Sequence, residues 1–181
     1  MYRERRVDYF LVGELKISIG EFSMAENLRV IVAFARESRK KEFDIRSWIT
    51  AKWTNSDFYH VKILIDNIWI QSTLGGVTVQ EFKQEDLQNS EFDFVEIPDI
   101  YLTDNQYSQL KKFIESVKGQ SYDWMQILLT HFISLHIDHL SKWTCSELVT
   151  KLLQLCYFEK VLFLRPERVT PKDLADILGV S

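Results

Sequence analysis

Residues 57–73, DFYHVKILIDNIWIQST, constrain the fold more than any other stretch of this chain. Two apolar runs with strand-like alternation, 57–65 and 68–73, flank Asp66-Asn67, a pair suited to a tight two-residue turn. Such a turn sets the register: Ile65 faces Ile68, Lys62 faces Gln71 and His60 faces Thr73. Opposed residues leave the same side of a hairpin. His60, Lys62, Gln71 and Thr73 therefore share one face, and Val61, Ile63 and Ile65 share the other.

The pattern around this hairpin is β-rich before it and helical after it. Residues 9–19 alternate as a strand or hairpin, and 29–35 (RVIVAFA) read as a buried strand. Asp44 caps a helix with Ile45, Trp48, Ile49 and Trp53 on one side. Gly75-Gly76 leads into a strand at 77–82, and another at 92–97 is expected to stop at Pro98. From Asp104 the period becomes helical, with Tyr107, Leu110, Phe113, Ile114 and Val117 on one stripe and Gly119 as terminator. Further helices are expected at 122–134, at 144–157 and from Pro171, the last capped by Thr170. An antiparallel sheet followed by packed helices is an α+β arrangement.

Composition bounds the function. With 181 residues, 46% of them hydrophobic, the chain suits one globular domain. A net charge of −4, from 22 basic and 26 acidic residues, gives no basic footprint for nucleic acid. Arg3/Arg5/Arg6 and Arg39/Lys40/Lys41 are short clusters interleaved with Glu, as on a solvated surface. No apolar run has the length of a membrane span, and residues 1–18 make a poor signal peptide. Cys145 and Cys156 fall on one predicted helix, roughly 16 Å apart at 1.5 Å per residue, too far for a disulfide. Two free thiols fit a reducing, cytoplasmic setting.

One of those thiols is placed for chemistry. In Trp143-Thr144-Cys145-Ser146-Glu147, Thr144 is an N-cap and Cys145 enters the first helical turn. Free N–H groups and the helix dipole there favour a thiolate, which predicts a lowered thiol pKa. Cys145, Leu148, Val149, Leu152, Leu153 and Cys156 line one face, so the thiol points inward; a core cysteine without a role has the same pattern. Cys156, mid-helix, has nothing to activate it. A thiolate nucleophile needs an imidazole partner. His60 is the strand candidate, although a polar hairpin face is also what solvent exposure produces. The spacing of His131, His136 and His139, beside Asp138, does not bring them to one helical face, and no metal site or cofactor is expected.

Taken together, DFYHVKILIDNIWIQSTLGGVTV, Tyr122-Asp123 and WTCSELV resemble the circularly permuted NlpC/P60 superfamily, papain-like proteins whose catalytic His precedes the Cys. Its small bacterial and bacteriophage-encoded members are the most similar. The matching elements are Trp48/Trp53, Tyr59-His60-Val61, Gln71 before Gly75-Gly76-Val77, Tyr122-Asp123 and Cys145-Ser146-Glu147. The resemblance covers about residues 29–178 and implies a domain over 29–181, with 1–28 an accessory, β-rich N-terminal extension.

It further implies a papain-like fold with Cys145 as nucleophile, His60 as base and Gln71 in the imidazole-orienting place. Lys62, Thr73, Tyr122 and Trp143 stand beside them as candidates for substrate contact. The expected activity is that of a cysteine hydrolase or acyltransferase on an amide, ester or thioester, with a peptide-like or acyl substrate. Relatives commonly carry an acid or His where Gln71 stands, and several have Glu or Gly at Lys62. A neutral Gln orients a ring without stabilising imidazolium, and the Lys62 cation disfavours a protonated His60. The alternative expectation is a catalytically weak or inactive papain-like module that binds and modulates a partner, a host protein if the chain is phage-encoded and acts in the host cytoplasm.

Overall fold

In a computed structural model, the described residues are 24–40, 52, 56–122 and 142–180. The expectations for 9–19, for the helix begun by Asp44 with Trp48 and Trp53, and for Asp123, His131, His136, Asp138 and His139 lie outside them.

The fold is α+β. A five-stranded antiparallel sheet has the order β4-β3-β2-β1-β5. Its strands are β1 (Met24–Arg36), β2 (Phe58–Ile65), β3 (Ile68–Thr73), β4 (Gly76–Glu81) and β5 (Phe92–Thr103). Helix α1 (Asp104–Val117) follows, then a short parallel pair of β6 (Ser121–Tyr122) and β7 (Lys142–Trp143), then α2 (Cys145–Leu155) and α3 (Pro171–Leu178).

The two faces of the sheet are buried differently. Val30, Val32 and Phe34 of β1 and Val61, Ile63 and Ile65 of β2 pack under Leu110 and Ile114 of α1, Leu148, Leu152 and Leu153 of α2, and Leu174 of α3. On the other face Ile31, Ala33, Leu64 and Trp69 form a smaller cluster, covered by Phe82, Leu87, Phe92 and Phe94. Burial on both sides is why the middle of β1 reads as continuously apolar instead of alternating. No helix among the described residues is long and apolar enough to cross a membrane.

Local signals fix the helix starts. Thr144 Oγ1 accepts the Glu147 N–H at 3.3 Å and the Glu147 carboxylate accepts the Thr144 N–H at 3.2 Å, a reciprocal cap. Thr170 and Asp173 repeat the device ahead of Pro171. Tyr122 ends β6, and the remainder of the helix expected at 122–134 lies outside the described residues. Two expectations are corrected. Cys156 caps the C-terminus of α2 and is not mid-helix. Strand β5 does not stop at Pro98 but runs on to Thr103. It is an edge strand, where the missing proline N–H costs no ladder bond. Pro98 and Asp99, the latter at φ 58°, bulge opposite Arg29 between the pairs Val30–Ile97 and Leu28–Ile100.

A thiol at the fork between two strands

The hairpin register holds at its tip and then gives way. Ile65–Ile68, Leu64–Trp69 and Ile63–Ile70 are paired, after which β2 and β3 part, while β3 stays on β4 as far as Thr73–Gly76. Across a two-residue turn Ile65 and Ile68 exchange both hydrogen bonds, so every second residue back along β2 turns its N–H toward β3. Val61 is the first such residue beyond the last pair, and its N–H is bonded to the sulfur of Cys145. On the other arm, Ser72 Oγ donates to the Trp143 carbonyl at 2.6 Å. The segment 143–145 thus fills the fork and takes the place of the strand pairing lost there.

Several contacts fix that segment. Trp143 Nε1 donates to Gln120 Oε1 at 2.7 Å, and its ring packs edge-on against Phe113 with centroids 5.5 Å apart. Gln120 is held to β4 by the Val77 N–H on its carbonyl at 2.8 Å. Gly76 permits this approach: at φ 98° it is left-handed, and a Cβ there would stand 2.6 Å from the Gln120 carbonyl oxygen. Ser146 Oγ donates to the Val169 carbonyl at 2.6 Å, tying the first turn of α2 to the chain ahead of α3.

Cys145 is 4% exposed. Burial pushes its thiol pKa up; the nearby backbone at Val61 and at the start of α2, and the Tyr122 side chain, pull it down without reversing the shift. The lowered pKa expected from the helix terminus is therefore corrected: a thiol withdrawn from water loses more than those groups return. Cys156 is pushed up to about 12 by burial and by the Asp66 carboxylate. Both thiols are free.

His60 is half-buried, with Nε2 3.1 Å from Gln71 Oε1. An amide oxygen only accepts, so Nε2 carries the hydrogen and Nδ1 is left as the basic nitrogen. Burial lowers the His60 pKa to about 4; the Gln71 bond opposes this, and the Lys62 and Lys40 ammonium groups add to it. Tyr59 is an extra residue at this point, since Ala35 pairs with His60 and Arg36 with Phe58. Ile70 lies in the cluster under the helices and Ser72 is bonded to Trp143, so alternation sends Gln71 to the opposite face, and His60 with it. No hydrogen bond between Cys145 and His60 is present among the described residues.

The other sequence candidates divide. The Tyr122 hydroxyl reaches the sulfur. Trp143 adjoins Cys145, but its indole is turned to Gln120 and Phe113. Thr73 Oγ1 bonds back to the Gly76 carbonyl at 3.4 Å, within its own turn. Lys62 faces away, over the rings of Trp69 and Phe92. Sequence reasoning missed Ser72, which is fully buried. Its signal was there, a lone hydroxyl at an alternation position otherwise filled by Ile68 and Ile70. Among the described residues no group of His, Cys, Asp and Glu is arranged to hold a metal ion. Comparison of the chain with protein-family models and with curated proteins gives no match.

Proposed function

We propose that this chain is a cysteine hydrolase or acyltransferase of the permuted NlpC/P60, papain-like type, with Cys145 as nucleophile and His60 as base. The observation that carries the reading is the placement of Cys145: its thiol is buried in the first turn of a capped helix, packed against β2, the strand that bears His60. The order of strand, hairpin and capped helix also agrees with the resemblance in sequence.

The chemistry starts from a neutral thiol and a neutral imidazole. His60 Nδ1 takes the thiol proton as the sulfur attacks the carbonyl carbon of an amide, ester or thioester. The carbonyl π electrons move to oxygen, and the N–H groups at the α2 terminus or the Tyr122 hydroxyl hold the oxyanion. Collapse breaks the bond to the leaving amine, alcohol or thiol, which takes the proton from His60. The remaining thioester on Cys145 is cleaved by water or passed to an acceptor. Gln71 keeps His60 in the Nε2–H form throughout.

One set of observations favours the second reading, a module of this fold that binds a partner without turnover. The thiol pKa is raised and the His60 pKa lowered, and Gln71 brings no charge to stabilise imidazolium. Treatment with p-nitrophenyl butyrate followed by mass spectrometry of the Cys145 peptide separates the two. The enzyme reading expects a butyryl thioester on Cys145 that forms more slowly in His60→Ala. An adduct that is absent, or formed at the same rate without His60, supports the binding module instead.

A further inference from the structure

On the face of the sheet away from Cys145, Lys62 lines a cleft of about 460 Å³ with Trp69, Gln80, Glu81, Lys83, Glu85 and Asp86. The size falls within the range of sites for small organic molecules. Lys62 Nζ lies 4.2 Å from the centroid of the Trp69 ring and 4.4 Å from that of Phe92. Trp69 is itself 3% exposed, so this aromatic wall belongs to the core and does not swing away. Asp86 is fixed as well: its Oδ2 accepts the Trp69 indole N–H at 3.0 Å and the Lys83 backbone N–H at 2.9 Å. The cleft thus presents the Lys62 amine against the buried Trp69 ring, a positioned carboxylate, and an exposed rim carrying Glu81, Lys83 and Glu85.

We propose that Lys62 is a covalent attachment point for a small aldehyde or ketone, held in this cleft as an imine. The amine nitrogen attacks the carbonyl carbon, a C–N bond forms, and the carbonyl oxygen leaves as water with the two hydrogens the nitrogen gives up. Nothing is oxidised or reduced. Burial lowers the pKa of Lys62, against the opposing pull of Asp86, which raises its share of free amine, the form that attacks. The groups around it are Asp86, Glu81, Glu85 and Lys83 in the cleft and His60 on the same strand. A flat carbonyl compound suits the Trp69 wall of the cleft, and a cationic or donor-bearing tail suits the acidic rim.

Lys83 supplies an internal control, in the same cleft with a side chain 71% exposed. The intact chain is treated with benzaldehyde and cyanoborohydride at pH 7, and labelling of the two lysines is followed by peptide mapping. Lys62 is expected to be labelled at least about threefold faster than Lys83, with the ratio narrowing as the pH is raised. A Lys62 that only plugs the aromatic cleft is labelled no faster than Lys83 at pH 7, and that result overturns the proposal. In Lys62→Arg, which keeps a cation over the rings, the fast-labelled site is expected to vanish with the circular dichroism unchanged. Persistence of a fast site elsewhere in the cleft also overturns it. Neither outcome depends on Cys145.

Discussion

Ser72 Oγ donates to the carbonyl of Trp143 at 2.6 Å, joining the inner arm of the fork to the residue two places before Cys145. The same segment is gripped on the opposite arm by the Val61 N–H on the sulfur. A β-sheet that opens over a few residues leaves donors and acceptors unpaired, and burying them unpaired is costly. Here a chain segment distant in sequence satisfies one group on each arm.

Ser72→Ala should therefore cost about 1–3 kcal/mol, because it removes the buried hydroxyl that the Trp143 carbonyl accepts from. Urea unfolding measures this. If the bond positions Cys145, the alkylation rate of Cys145 should also change in the folded variant while that of Cys156 does not. A stability loss with unchanged Cys145 reactivity would make Ser72 a structural residue alone.

The glycines give a paired test of how tightly the fork is closed. Gly76 and Gly119 both have positive φ, 98° and 78°, but a Cβ at Gly76 meets the Gln120 carbonyl oxygen at 2.6 Å, whereas one at Gly119 meets nothing within 4 Å. Gly119→Ala should cost about 1–2 kcal/mol for the left-handed backbone alone. Gly76→Ala should cost more, on the order of 3 kcal/mol or above, since backbone must move. Equal losses would mean that the approach of Gln120 to β4 is not tight.

Much of this was legible in the sequence, and the exceptions have physical causes. Asp66-Asn67 determined the hairpin register because a two-residue turn leaves no choice, and Thr144 with Glu147 announced the start of α2. The fork was not legible, because what ends the β2–β3 pairing is a segment far along the chain and not a residue in either strand. The extension of β5 past Pro98 depends on its edge position, which only the strand order reveals. The direction of the Cys145 shift was misjudged for a similar reason. The helix terminus is a local feature, but the burial that outweighs it is summed over β2, α2 and α3.

The His60 shift makes stability depend on pH. Its pKa falls from an ordinary 6.5 to about 4 on folding, so between those values the unfolded chain binds more protons than the folded one. The resulting stabilisation is fully present above about pH 6.5 and is lost as the pH falls through about 4. It amounts to on the order of 3 kcal/mol at most, at 1.36 kcal/mol per pKa unit. Denaturant unfolding of the wild type and of His60→Gln from pH 7.5 to 4 should show a steeper loss in the wild type. Parallel curves would mean that His60 titrates normally.

Reactivity of Cys145 toward iodoacetamide should rise with pH through the upper thiol range, with no plateau near neutrality. That profile follows from a thiol raised by burial and an imidazole that is already neutral. Cys156, with a pKa near 12, should lag behind it at every pH. A plateau below pH 7 would reveal a thiolate–imidazolium pair and reverse the direction assigned to both groups.

Gln71 separates turnover from binding most sharply, because its amide oxygen holds His60 Nε2 at 3.1 Å. Gln71→Ala removes a bond that raises the His60 pKa and frees the ring to rotate, so the pKa should fall further and any turnover of p-nitrophenyl butyrate should drop. Losses of about 10–10⁴-fold are in keeping with removal of an orienting group. Gln71→Glu keeps the acceptor and adds a negative charge, which should raise the His60 pKa and preserve or increase turnover. Histidine titration by NMR reads the first effect, and acyl-thioester formation on Cys145 reads the second, with Cys145→Ser as the blank. A His60 pKa that moves as expected in both variants while acylation stays constant would show that Gln71 orients the ring and that the ring does no work for Cys145. A change in both together, in opposite directions for Ala and Glu, would tie the strand-borne imidazole to the thiol across the fork.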